Sequence, residues 1–306
     1  MVFLITIYIK ELEKSDKIKF LEMIPKFLRK ILIKIIKITN NFFINKIDDN
    51  KKIYIIPDIN RKKVYEKILR TLKKEQTQTQ KVQIVLSKDI KKYKSYFEKI
   101  SIVDGKIVIR DSIYQIIKKA IGNNNVALYD VYILTNKYND FSNRIIKDLL
   151  EKVKSVNIIT KEINKYNMLE EKYEKEGLLI TVSNNKKKSL KKAKIIINID
   201  FTKEELKSYS IFRNSFLINL HDEKIDFLRG FDGIIIQNIE VEYKSNQKDF
   251  VIENNLKEKF KQIEVYESLL NIYDKRKENI NIITLYGNNG KINEKELLNW
   301  QKILTN

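Results

Sequence analysis

Val131-Tyr132-Ile133-Leu134-Thr135, followed by Asn136-Lys137-Tyr138-Asn139-Asp140-Phe141 and then by a helical pattern over 143–153, decides the fold of this chain. A short β-rich run leading directly into an amphipathic helix is half of a strand-helix-strand unit. Five more apolar runs follow, at 156–160, 179–182, 195–199, 216–220 and 233–237, with helical segments at 168–176 and 189–193 in several of the gaps. Apolar strands alternating with helices predict a doubly wound parallel sheet of six strands over residues 126–245.

Toward the N-terminus, residues 1–9 read as a buried strand: they lack a basic leader and no small-residue cleavage signal follows. Strands at 53–56 and 82–86 precede helices at 61–74 and about 93–100, and a strand at 107–109 precedes a helix at 112–121. The tetrapeptide Gly122-Asn123-Asn124-Asn125 is the strongest boundary signal. Residues 1–125 are therefore expected to form an α/β domain, 126–245 the parallel-sheet domain, and 246–306 a C-terminal helical return. That return consists of a long helix at 252–276, a strand at 280–285 and a last helix bearing Leu297, Leu298 and Ile303.

Between 17 and 37 the residues Phe20, Leu21, Ile24, Phe27, Leu28, Ile31, Leu32, Ile35 and Ile36 recur at helical spacing, with lysine and arginine largely between them. The helix begins at Pro25 or bends there. Its apolar face is expected to turn toward a core, with contact with an anionic membrane surface as the alternative.

The chain has 306 residues, no cysteine and a net charge of +20. Absence of cysteine excludes disulfides and thiolate metal sites and fits a reducing, cytoplasmic location. The charge is uneven: residues 51–100 hold 15 basic and five acidic side chains, a balance of +10, whereas 201–250 hold seven and nine, a balance of −2. Nucleic-acid binding through 51–100 is one consequence of such a patch. Only eight of the 60 basic residues are arginine, which weakens that reading because bidentate recognition favours arginine.

The order of parts from Val131 to Gln237 resembles the NAD(P)-binding, Rossmann-like domain of the shikimate dehydrogenase and glutamyl-tRNA reductase type. The resemblance is carried by a strand ending in Asn157-Ile158-Ile159-Thr160-Lys161, by Leu179-Ile180-Thr181-Val182-Ser183-Asn184-Asn185, and by Ala193-Lys194-Ile195-Ile196-Ile197-Asn198. It implies a dinucleotide at Asn136, Lys137, Lys161, Asn184 and Asn198, with Asn198 beside the nicotinamide. Lys161 stands where a 2′-phosphate would be met, so NADP is the cofactor implied, if any.

The sequence departs from that family where the phosphates would dock, because the 136–141 loop contains no glycine. Glycines let the backbone turn tightly against a pyrophosphate. Asp140 and Ser142 fall at the helix N-terminus, where a carboxylate caps the helix and repels phosphate.

Lys186, Lys187, Lys188, Lys191, Lys192 and Lys194 read either as a solvated helix face or as a polyanion contact. His221, the one histidine, stands beside Asp222 and Glu223 without a visible nucleophile or metal partner. Gly287-Asn288-Asn289-Gly290 reads as a turn before a helix. No metal motif occurs, and no catalytic residue can be assigned. The leading expectation is a non-catalytic pseudo-dehydrogenase that binds a protein partner or small ligand, with no cofactor. An NADP-dependent reductase is the first alternative, and a basic nucleic-acid or anionic-membrane binder is the second.

Overall fold

Strands rich in isoleucine and valine on both faces must be covered on both sides, and the chain does this twice. The computed structural model describes residues 3–12, 21, 24–77, 80–226, 230–243, 256, 259–273 and 280–305. Two units result, Met1–Ile107 with Ser245–Glu278, and Val108–Lys244 with Asn279–Asn306.

The first unit is built on β1 (Phe3–Glu11), β2 (Phe43–Lys46), β3 (Lys51–Ile56), β4 (Gln80–Leu86) and β5 (Ser101–Ile102), in the order β2-β3-β1-β4-β5. All neighbours are parallel except the β2–β3 pair at the edge. Helix α1 (Lys26–Ile38) starts immediately after Pro25, and α2 (Lys62–Glu75) places Val64, Tyr65, Ile68 and Leu72 into the core with Ile7, Ile9, Tyr54 and Ile84. Residues 91–97 form a 3-10 segment. Residues 17–20, 22 and 23 of the expected first helix lie outside the described residues.

Residues 107–109 are helical, not extended. They belong to α3 (Lys106–Asp111), which starts where Asp104 Oδ1 accepts the Lys106 N–H at 3.2 Å. A three-residue β-branched run is too weak a local preference to resist that start. Helix α4 (Ile113–Ile121) follows and has contacts with the second unit's later elements. The division at Ile107/Val108 accordingly lies before the glycine-asparagine stretch at 122–125.

The second unit contains β6 (Asp130–Leu134), α5 (Asp140–Leu150), β7 (Ser155–Ile159), α6 (Ile163–Lys175), β8 (Ile180–Ser183), β9 (Ile195–Asn198), α7 (Lys203–Lys207), β10 (Phe216–Asn219) and β11 (Ile234–Ile236). The sheet order is β11-β10-β9-β6-β7-β8, with every neighbouring pair parallel. Read from β8, the strands run third, second, first, fourth, fifth, sixth. This is the Rossmann-like order, and it reverses direction between β6 and β9. Gly233 leads into β11, where a Cβ would lie 1.9 Å from the Ser215 carbonyl oxygen, so only glycine fits the approach.

Residues 189–193, expected to be helical, are not: 189–192 are turns and 193 is irregular. Strand β12 (Asn238–Tyr243) opens a three-stranded antiparallel sheet. The expected continuous 252–276 helix is interrupted: Leu256 and Lys259 are helical, Phe260 and Lys261 are not, and a separate helix α8 (Gln262–Tyr273) packs on β1 and β4 of the first unit, while 252–255, 257–258 and 274–276 lie outside the described residues. Strands β13 (Ile280–Gly287) and β14 (Gly290–Lys291) complete the antiparallel sheet, and α9 (Glu294–Thr305) ends the second unit. Gly287-Asn288-Asn289-Gly290 is thus a hairpin turn between β13 and β14. Among the described residues no helix is long and apolar enough to cross a membrane.

Candidate functional site

In a doubly wound sheet the ligand crevice lies beyond the carboxyl ends of the strands where the order reverses. Here that point is the end of β6 and β9, where Leu134 pairs with Asn198. The chain leaves β6 through Thr135 and Asn136 and leaves β9 through Ile199 and Asp200.

The loop after β6 has turned its hydrogen-bond donors inward. The Asn136 N–H donates to Asp200 Oδ1 at 2.7 Å, and the Lys137 N–H donates to Thr135 Oγ1 at 3.3 Å. The Asn139 N–H donates to Ser142 Oγ at 3.2 Å while the Ser142 N–H donates to Asn139 Oδ1 at 3.0 Å, a reciprocal capping box at the start of α5. The cap is therefore Asn139 with Ser142. Asp140, the residue expected to cap, is exposed in the first turn.

Side chains fix this loop from three directions. Asn136 donates through Nδ2 to Glu205 Oε1 at 3.0 Å and accepts the Lys161 N–H at 3.2 Å. Lys161 Nζ is ion-paired with the same Glu205 oxygen. Burial pushes the Glu205 carboxyl up, but bonding from Lys161 and from the Thr202 N–H and hydroxyl outweighs it, so its pKa is lowered. From α6, the buried Tyr166 hydroxyl donates to the Lys137 carbonyl at 2.9 Å, and its ring meets Tyr138 edge-on at 5.2 Å. Burial raises the Tyr166 pKa and keeps this donor protonated.

Asn198 is completely buried and its amide is consumed within the protein. It accepts the Phe201 N–H at 2.9 Å and donates to the Phe201 carbonyl at 2.9 Å and to Asn219 Oδ1 at 2.8 Å. The network continues from Asn219 to Gln237 at 3.0 Å and from Gln237 to Asn288 at 3.2 Å. One amide at the end of each of β9, β10 and β11 thus ties the carboxyl edge to the 287–290 turn. His221 serves locally, with Nδ1 accepting the Glu223 N–H at 3.3 Å.

Of the residues the family resemblance brings forward, the structure joins Asn136 and Lys161 directly. Lys137 follows in the same loop with its side chain exposed, and Asn198 lies at the adjoining strand end. Asn184 is exposed beyond the edge strand β8, with β7 between that strand and β6. Asp200, Glu205 and Tyr166 are the residues that reading the sequence misses. A signal for Glu205 was present, because Thr202-Lys203-Glu204-Glu205 has the spacing of a capping box and forms one.

No protein-family model matches this chain, and no curated protein matches it in sequence.

The lysine run divides. Lys186, Lys187, Lys188, Lys191 and Lys192 are exposed on the β8–β9 connection, whereas Lys194 Nζ donates to the Leu304 carbonyl at 2.7 Å near the end of α9. A cavity of about 460 Å³ lies beside β11, with Phe231, Ile234, Asn288 and Trp300 among its walls. Of its three carboxylates, Asp226 and Asp232 are paired with Lys203 and Arg213, and Glu296 accepts the Asn293 N–H at 2.9 Å. Among the described residues, no group of three or more acidic, histidine or cysteine side chains is arranged to hold a metal ion.

Proposed function

We propose that this chain is a non-catalytic binding or scaffold protein that keeps a dehydrogenase-type architecture without using its dinucleotide crevice. One observation carries the reading: the Asn136 N–H, which a pyrophosphate would need, is bonded at 2.7 Å to the carboxylate of Asp200. A diphosphate would have to displace that bond and accept an anion as its neighbour, with no glycine to let the backbone approach. The Lys161–Glu205 pair similarly occupies the cation that a 2′-phosphate would recruit.

The competing reading is an NADP-dependent reductase. A ligand that binds the folded state must raise the melting temperature in a saturable way. Melting the full chain with NADP, NADPH and NAD up to millimolar concentration is expected to leave Tm unchanged. Amide exchange supplies a positive readout: the Asn136 N–H is expected to exchange slowly, and faster in Asp200→Ala. A saturable Tm rise with any of the three nucleotides, or rapid Asn136 exchange in the unmodified protein, would refute the proposal.

A further inference from the structure

Helix α1 does not bury the apolar face that its sequence builds. On a helix of 3.6 residues per turn, Leu28, Ile31, Ile35 and Ile38 form one stripe, and these side chains are 40%, 51%, 49% and 61% exposed. Leu32, Ile33 and Ile36 are half-buried on another side of the helix. The expected core-facing helix is therefore corrected: its apolar arc is wider than the face that packs. Among the described residues, every exposed large apolar side chain of the first unit except Ile107 falls between Leu28 and Ile44. That concentration marks a surface, since scattered single residues would need no explanation.

Charge identifies what this surface fits. The helix sequence KFLRKILIKIIKI contains five basic residues and no acidic one. Lys30, Lys34 and Lys37 are exposed in a row beside the apolar stripe. Residues 51–100 of the same unit add a balance of +10. An apolar stripe next to a row of long cationic side chains lets isoleucines enter the acyl boundary while the lysine stems reach the headgroups. A nucleic acid would satisfy the lysines and leave four apolar side chains in water. A bilayer satisfies both.

We infer that α1 is an interfacial helix that docks the first unit on an anionic lipid surface through Leu28, Ile31, Ile35 and Ile38, with Lys30, Lys34 and Lys37 contacting the headgroups. This goes beyond the scaffold reading and does not depend on it. The test uses the full chain and vesicles of phosphatidylcholine with or without phosphatidylglycerol. Binding in sedimentation is expected with the anionic vesicles and to be far weaker with phosphatidylcholine alone.

Lys30→Glu/Lys34→Glu/Lys37→Glu is expected to weaken binding by about a hundredfold, and Ile31→Ser/Ile35→Ser by about tenfold or more. Both sets lie on exposed positions, and circular dichroism checks that they leave the fold intact. In Ile31→Trp, tryptophan emission is expected to shift to the blue on vesicle addition.

Three results would overturn the inference. One is no binding to anionic vesicles at low salt. Another is vesicle or DNA binding that Ile31→Ser/Ile35→Ser leaves unchanged, which would make the face a polyanion contact. The third is a self-association abolished by the same substitutions, which would make it a contact between two copies.

Discussion

Glu264 on α8 shows how one buried carboxyl can govern the pH response of the first unit. Its side chain is almost inaccessible and is ion-paired with Lys91, which is about one-third exposed. Burial is the largest influence on both groups, raising the pKa of Glu264 and lowering that of Lys91 despite their attraction. The acid's value is thus higher in the folded chain than in the unfolded one. Its contribution favours the fold most at or below its ordinary value of 4.5, and that contribution is lost as pH rises through the raised value. Glu264→Gln removes the titrating group. In urea unfolding, the variant is expected to gain stability relative to the unmodified protein as pH goes from about 4.5 to 7. A gap moving the other way would mean that the ion pair outweighs its burial.

At the scale of elements, capping and charge decide what composition leaves open. Asn139 accepts the Ser142 N–H at the start of α5 and donates its own N–H to Ser142 Oγ in return. Asn139→Ala is expected to cost about 1 kcal/mol in thermal or urea unfolding, and a cost near zero would show that Asp140 replaces it as the cap. The six strands of the parallel sheet were legible because each is an apolar run bounded by polar residues, and helices after β6, β7 and β9 make parallel pairing the expected arrangement, whereas the strand order itself is seen only in the fold. The 189–193 segment misleads because its lysines look like a helix face. In a helix, Lys187 and Lys191, and Lys188 and Lys192, would stand four apart with like charges. Asn185 instead accepts the N–H groups of Lys187 and Lys188 at 3.1 Å each and holds a turn. Asn136, Lys161 and Asn198 could be named from sequence. Their commitment to Glu205, Asp200 and Asn219 could not, because those bonds join residues at least 21 positions apart on different elements.

On the scale of the whole molecule, the first unit is discontinuous, and this makes its folding depend on the far end of the chain. Helix α8 supplies the buried Ile263, Val265 and Leu269, and the nearby Phe260 meets Tyr8 edge-on at 5.4 Å. Burial of such side chains contributes about 1.5–3 kcal/mol each. The helix also completes a polar network in the interior: Ser268 Oγ with the Tyr8 hydroxyl at 2.9 Å, Gln83 Nε2 to the Ser268 carbonyl at 3.0 Å, and Asn271 Nδ2 to Gln83 Oε1 at 2.9 Å. Removing the helix would expose that apolar surface and leave Gln83 and Tyr8 without these partners, at a further cost of about 1–3 kcal/mol for each group still buried. Together these losses rival the whole stability of an ordinary domain, about 5–15 kcal/mol. A chain ending at residue 244 is therefore expected to lose slow amide exchange throughout β1 and β4, although every residue of the five-stranded sheet is still present. Supplying residues 245–306 as a separate peptide is expected to restore some of that protection. If the shortened chain protects β1 and β4 as well as the full chain does, the sheet is self-sufficient and α8 only covers it.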